Sequence, residues 1–162
     1  MAEADLDAVL TIAAGTDLAG LNRDGLRREL QLPFASCQVL EAADGVIGYS
    51  IHWVVAGEAE IHAVAVSAGI RRQGAGRLLV ESVLERVGRA GATRCQLEVA
   101  EENAAGRALY TVLGFCEVGR RRDYYGSGRD SLLFECRIMG SKDSTLPNAE
   151  ISITMHKSHS AF

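Results

Sequence analysis

The sequence lacks the run of about 20 apolar residues that a membrane-spanning helix needs. It also lacks a signal-peptide pattern, because its start, MAEADLDAVLTIAAG, opens on acidic residues and holds only a short, interrupted apolar stretch. A cytoplasmic protein is the expectation. A metal motif is missing too: Cys37, Cys95, Cys116 and Cys136 form no C-x-x-C and stand at no ligand spacing from His52 or His62. They read as reduced core residues, and no metal site is expected. Nor is there a surplus of positive charge. The net charge is −4 and the basic residues gather into no long run, which argues against a nucleic-acid backbone as main partner. At 162 residues the chain is short for two domains, while 48% apolar content supplies one good core.

What the chain does have is periodicity. Leu6, Val9, Leu10 and Ala13 follow the i, i+3, i+4, i+7 rule of an amphipathic helix. A second short helix is expected over 24–30, after the capping candidate Asn22 and before Pro33. From Cys37 the texture changes to β-branched and aromatic runs, CQVLEA, GVIGYSIHWVVA and AEIHAVAV, punctuated by Ala43-Asp44-Gly45 and Ala56-Gly57-Glu58. These read as three antiparallel strands in a meander. Val80, Val83, Leu84 and Val87 mark one face of a helix that Gly88 to Gly91 close. In the following strand, CQLEV, Cys95, Leu97 and Val99 face one way and Gln96 and Glu98 the other. Asn103 caps a further helix whose buried stripe is expected at Ala105, Ala108, Leu109 and Val112, with Gly114 ending it. A last pair of strands spans 115–119 and 131–138. This order makes a mixed α/β domain over 1–139 rather than a doubly wound parallel sheet. Residues 140–162 read as a flexible tail in which ISITM can add an edge strand.

The stretch RRQGAGRLL, from Arg71 to Leu79, places two glycines at the entry to a helix. Unpaired amides at a helix start need partners, and an anion is a natural one. Glycine lets a bulky phosphate approach the backbone, and Arg71, Arg72 and Arg77 add positive charge. The pattern matches neither the GxxxxGK[ST] of a P-loop nor the GxGxxG of a βαβ unit. Taken alone it leaves a simple helix-entry turn and an anion site equally open.

Further residues carry a resemblance. RRQGAG, the preceding EIHAVAV, Glu98 within LEV, Asn103, ALY ending at Tyr110, LGF at Gly114 and Phe115, and RRRDYY at Arg120 to Tyr125 belong together. From about Asp5 to Ile138 the chain resembles the GCN5-related N-acetyltransferase (GNAT) superfamily, and within it the RimI type, which acetylates the amino-terminal alanine of ribosomal protein S18. The resemblance implies a central, mostly antiparallel twisted sheet with splayed parallel strands at Val64 and Leu97, flanked by helices. It implies acetyl-coenzyme A as cosubstrate. Its pyrophosphate falls to Arg72, Gln73, Gly74, Ala75, Gly76 and Arg77, its pantetheine arm to the backbone of Val64, Ala65 and Val66, and a further contact to Asn103. The acceptor is a protein amino terminus; no nucleic acid or membrane is involved, and a monomer or weak homodimer is expected.

The chemistry agrees. Acetyl transfer needs a neutral amine, and an α-amino group has an ordinary pKa of about 7.7 to 8.0, so a modest base suffices. Glu98 is the candidate base, acting directly or through a water. Tyr110, about two turns into its helix, is the candidate acid for the departing thiolate, and a backbone N–H on the Val64 to Val66 strand the candidate oxyanion donor. Each has a plainer reading: Glu98 as a solvated strand charge, Tyr110 as a packing residue, Asn103 as a helix cap alone. His62 reads as a strand residue, Trp53 as core or groove wall, and Arg120 to Arg122 as a solvated run or a groove lining.

The chain departs from the resemblance in three places. The first strand is missing or reduced to a stub, the segment that often shapes the acceptor pocket reads GTDLAGLNRDG, and VSAGI replaces an Asp-Pro turn. Two other functions fit the same pattern: acetylation of a small amine or a lysine side chain, and a non-catalytic acyl-coenzyme A-binding or interaction module.

Overall fold

A computed structural model of the chain describes residues 1–16, 18, 21–138 and 152–154. Its elements are α1 (Leu6–Ala14), α2 (Arg23–Gln31), β1 (Ala35–Ala42), β2 (Gly45–Val55), β3 (Glu58–Val66), α3 (Ala75–Arg89), β4 (Arg94–Ala100), α4 (Ala104–Val112), β5 (Cys116–Arg121), β6 (Ser131–Arg137) and β7 (Ser152–Thr154). Among the described residues no helix is long and apolar enough to cross a membrane.

Local chemistry explains most boundaries. Asn22 caps α2 by accepting from the Gly25 amide at 2.9 Å, and Asn103 caps α4 by accepting from the Gly106 amide at 2.9 Å. Ala56 and Gly57 both have positive φ, 51° and 81°, the two-residue hairpin turn that joins strands of right-handed twist. The meander β1–β2–β3 is antiparallel throughout.

The seven strands of the described residues form one sheet in the order β5-β6-β4-β3-β2-β1-β7. Its neighbours are antiparallel except β3 and β4, which run parallel from Glu58↔Arg94 to Ile61↔Leu97. No strand precedes α1 among the described residues, and β7, within the ISITM stretch, lies against β1 through Val39↔Thr154 to Glu41↔Ser152. The rest of the expected tail lies outside the described residues.

The two faces of the sheet carry separate cores. On one, α3 lays Val80, Val83 and Val87 against Ile61, Leu97 and Phe134. On the other, α1 and α2 bring Leu6, Val9 and Leu26 onto Tyr49, Ile51, Ala63 and Ala65. Strand β3 serves both because it bulges. Ile51 pairs with Ala63 and the next residue, His52, with Ile61, so His62 is the extra residue and side chains beyond it switch faces.

Two expectations are corrected. Of the cysteines, Cys37, Cys95 and Cys136 are buried, but Cys116 is exposed at the start of edge strand β5, where little covers it. In α4, Ala105, Ala108 and Val112 face solvent, and the side chains packed on the core are Leu109, Tyr110 and Leu113. Alanines at both expected and unexpected positions gave the helix no decisive phase, and the larger side chains set it.

His52 is buried under α3, and its pKa is lowered to about 4, first by burial and then by the charges of Arg86 and His62. The unfolded chain therefore takes up a proton on this residue below about pH 6.5 that the folded chain refuses. Stability should fall by about 3 kcal/mol as pH drops from 6.5 to 4 and no further from this source below 4. Urea titrations at stepped pH check this, with His52→Gln flattening that part of the profile. Replacing the α4 cap, Asn103→Ala, should cost about 1 kcal/mol in the same assay at neutral pH, and Asn103→Asp much less.

Candidate active site

Beyond Ile61 and Leu97 the two parallel strands part. Among the described residues the edge of β3 that faces β4 has no strand partner from His62 to Val66, so its backbone groups are open to another extended chain. Val64 and Val66 pack toward Leu40, Ala75 and Leu79, while Ala65 belongs to the opposite core. The result is a V-shaped opening with its fork between Ile61 and Leu97.

The mouth of the V is the glycine turn. After a 3-10 turn at Ala68–Ile70, Arg72 and Gly74 take positive φ, 66° and 90°, and Gly74 is the residue before α3. A left-handed non-glycine residue costs about 1–2 kcal/mol. The fully buried Leu79, Val80, Val83 and Val87 of α3, at roughly 1.5–3 kcal/mol each, outweigh it. The first α3 bond runs from the Leu78 amide to the Gly74 carbonyl at 3.0 Å, which leaves the amides of Ala75, Gly76 and Arg77 aimed out of the helix start. A Cβ on Gly74 would meet nothing within 4 Å, so the space before these amides has room for a phosphate. Gln73 folds back to the Gly69 carbonyl at 2.9 Å, and Arg77 pairs with Glu81 at 2.8 Å. Arg71 turns away and donates to the Gly15 carbonyl at 3.0 Å. It braces the turn.

Glu98 stands one residue past the last parallel pair, at the fork. Its side chain lies on the face away from α3 and α4, where Arg121 Nη1 meets Oε1 at 2.8 Å and Ser131 Oγ donates to Oε2 at 3.2 Å. It is therefore neither a loose solvated charge nor a free base but a fixed carboxylate. Tyr110 reaches the fork region from the other face, with its ring edge-on to Phe115 at 5.7 Å and tilted against Phe134 at 6.4 Å. Its pKa is pushed up to about 12, first by burial and then by the nearby Tyr125. Tyr110 thus keeps its proton at neutral pH and stands as a hydrogen-bond donor. The two side chains approach the V from opposite faces of the sheet. Asn103 has Oδ1 committed to its cap.

Two of the three arginines in the basic run are likewise committed. Arg120 binds Glu101 at 2.6 Å and Asp130 at 3.2 Å, while Arg121, besides holding Glu98, lies over the Tyr124 ring at 5.7 Å. The pairing of Arg121 and Ser131 with Glu98 was not legible beforehand, since it depends on the β5–β6 register, in which Arg121 and Ser131 are partners. Trp53, expected as core or groove wall, donates from Nε1 to Glu29 at 2.7 Å and lies tilted against His62 with ring centroids 4.0 Å apart.

Comparison with known proteins agrees with this geometry. A ribosomal protein bS18-alanine N-acetyltransferase of Salmonella typhimurium is 40% identical over 86 residues, 53% of this chain and 58% of that protein. The match thus spans little more than half of that relative's length. A Bacillus subtilis protein provisionally named for the same activity is 31% identical over 131 residues, 80% of this chain and 87% of its own. The crystal structure of the ribosomal-protein-S18-alanine N-acetyltransferase from Escherichia coli superposes with a TM-score of 0.79 at 27% identity, covering 90% of this chain and 96% of that one. The model of the acetyltransferase (GNAT) family matches residues 7–115, the stretch that holds the open β3 edge, the glycine turn, Glu98 and Tyr110, and the chain belongs to that family.

Proposed function

We propose that this chain is an N-acetyltransferase, one domain over residues 1–139, that moves the acetyl group of acetyl-coenzyme A directly to a protein amino-terminal α-amine. The acceptor we propose is that of ribosomal protein bS18, or a similarly short and exposed amino terminus, in the cytoplasm. The observation that carries this reading is the V itself: a carboxylate at its fork on one face, a protonated phenol on the other, and free helix-start amides at its mouth. The names of the relatives support the choice of acceptor.

In this reading Arg72, Gln73, Gly74, Ala75, Gly76 and Arg77 hold the pyrophosphate, and the open backbone of Val64, Ala65 and Val66 pairs with the pantetheine arm. Asn103, with Oδ1 in its cap, offers its Nδ2 to the cosubstrate. When bound, the cosubstrate supplies an acetyl group activated as a thioester. The amine lone pair forms the new C–N bond as the C–S bond breaks. Glu98 takes the proton of the attacking amine, directly or through a water, once the incoming group competes for the carboxylate that Arg121 holds. A free amide of the β3 edge meets the negative charge building on the carbonyl oxygen, and Tyr110 gives its proton to the departing thiolate.

Incubation with acetyl-coenzyme A and a bS18 amino-terminal peptide, its amino-blocked version or a panel of small amines, followed by free thiol, tests the reading. Peptide-dependent thiol release that vanishes on blocking is expected; release only with small amines overturns the acceptor, and binding without release overturns the activity. Glu98→Gln and Tyr110→Phe should each lower kcat by about 100-fold or more while calorimetry finds acetyl-coenzyme A affinity nearly unchanged. Gly74→Val should do the reverse, weakening affinity by at least about tenfold, because it strains a left-handed residue and fills the space before the amides.

A further inference from the structure

Four thiols take no part in the acetyl-transfer chemistry, and strand register sorts them. Cys95 on β4 and Cys136 on β6 are direct partners in an antiparallel ladder that runs without a break from Arg94↔Arg137 to Ala100↔Ser131. Residues opposite each other in such a ladder point to the same face of the sheet, and both of these enter the core under α3 with Val83 and Val87. Cys116 stands opposite Glu135, one residue short of Cys136, so it shares the other, helix-free face with Glu135 and Gln96. Cys37 lies in the separate core beneath α1 and α2. Within one molecule, therefore, the register brings together Cys95 and Cys136.

The spacing suits a covalent link. Directly opposed residues of antiparallel strands have Cα atoms about 4.5 to 5.5 Å apart, inside the roughly 4.4 to 6.8 Å span of a disulfide. Their Cβ atoms, about 4.5 to 5.5 Å apart in such pairs, need to draw in by up to about 1 Å. Cys136 sits near the rim of the sheet, because β5 begins its pairing at Glu135 and does not extend past it. It is 7% exposed, and Cys95 0%, a margin that suits an oxidant little larger than water. The hydrogen bond between the thiols pushes Cys95 above the ordinary thiol range and holds Cys136 below it, so the more reachable sulfur is also the better nucleophile. A metal is the poorer fit. Two sulfurs are half of a structural zinc set, and no group of three or more His, Cys, Asp or Glu ligands gathers among the described residues.

We propose that Cys95 and Cys136 are a redox staple, closing into a disulfide on reaction with a hydroperoxide and reopening with a thiol reductant. The Cys136 thiolate attacks one peroxide oxygen, the O–O bond breaks, and the leaving hydroxide takes up a proton to become water, while Cys136 becomes a sulfenic acid. The Cys95 sulfur then attacks that of Cys136, the S–O bond breaks, and the oxygen departs as a second water with the Cys95 proton. The two thiols lose two electrons and the peroxide gains them. The link ties β4, which carries Glu98, to the strand that carries Ser131, and closes a loop of roughly 40 residues that includes α4 and β5. It also spares Cys136 the irreversible sulfinic and sulfonic steps. None of this depends on the acetyl-transfer reading.

The whole chain carrying Cys116→Ser, which removes crosslinks between molecules through the exposed thiol, is treated with stepped hydrogen peroxide, alkylated with iodoacetamide in denaturant and digested with trypsin without reduction. Tryptic peptides 95–107 and 130–137 should appear joined, lighter than their sum by a pair of hydrogens, and dithiothreitol should separate them. The thermal midpoint of the oxidised protein should rise by about 10 °C and fall back on reduction. In the same background Cys95→Ala should abolish both effects and leave Cys136 as sulfinic or sulfonic acid, whereas Cys37→Ala should leave the link and the shift in place. Both peptides recovered alkylated and unlinked, or Cys136 over-oxidised while Cys95 is present, overturns the redox site. A link that leaves the midpoint unmoved overturns its role as a staple.

Discussion

One extra residue in β3 governs this molecule. Because His62 bulges against β2, the strand presents Ile61 to the core under α3 and Ala63 to the core under α1 and α2. At the same level β3 leaves β4, since pairing ends at Ile61↔Leu97. A strand that kept its phase and its partner would give a continuous sheet with one hydrophobic side per strand and no opening. The bulge lets two cores share a strand and leaves that strand a free edge, and α3 can then begin where the edge ends.

Around the fork, charge is arranged in pairs rather than as a field. Arg121 answers Glu98, Arg120 answers Glu101 and Asp130, and Arg129 answers Glu102 at 2.7 Å. The loop between β5 and β6 is thereby tied to β4 and to the start of α4 by ion pairs that are largely exposed. Such pairs are worth little in stability. Their effect is positional: they fix where Tyr124, Tyr125 and the Glu98 carboxylate stand relative to each other. The glycine turn follows the same rule, with Arg77 on Glu81 and Arg71 on the Gly15 carbonyl.

The elements legible in the sequence were those written in short-range chemistry. The Ala56-Gly57 turn, the Asn22 and Asn103 caps, the alternation of β4 and the glycine entry to α3 all appear where the residues place them. What escaped depended on partners far away in the chain. Alanine-rich α4 carries too little contrast to reveal its inner face, so Tyr110 and Leu113 join the expected Leu109 on the core while Ala105, Ala108 and Val112 face solvent. Cys116 reads as apolar, but its exposure follows from β5 lying at the sheet edge. EIHAVAV does not locate the bulge, because polar and apolar residues alternate only as far as Ala63 and the run from Ala63 to Val66 is apolar throughout. The hold of Arg121 and Ser131 on Glu98 is a matter of register across a loop, which no local pattern encodes.

Since Glu98 and Tyr110 enter the V from opposite sides, the sheet acts as a partition one strand thick. The helix-covered side is built by α3, α4 and the glycine turn, and the bare side by Trp53, Glu60, Gln96 and the β5–β6 loop. Substitutions on the bare side meet different neighbours from those on the covered side, so the two can drift separately. A change of side chain on one side therefore leaves the packing on the other in place.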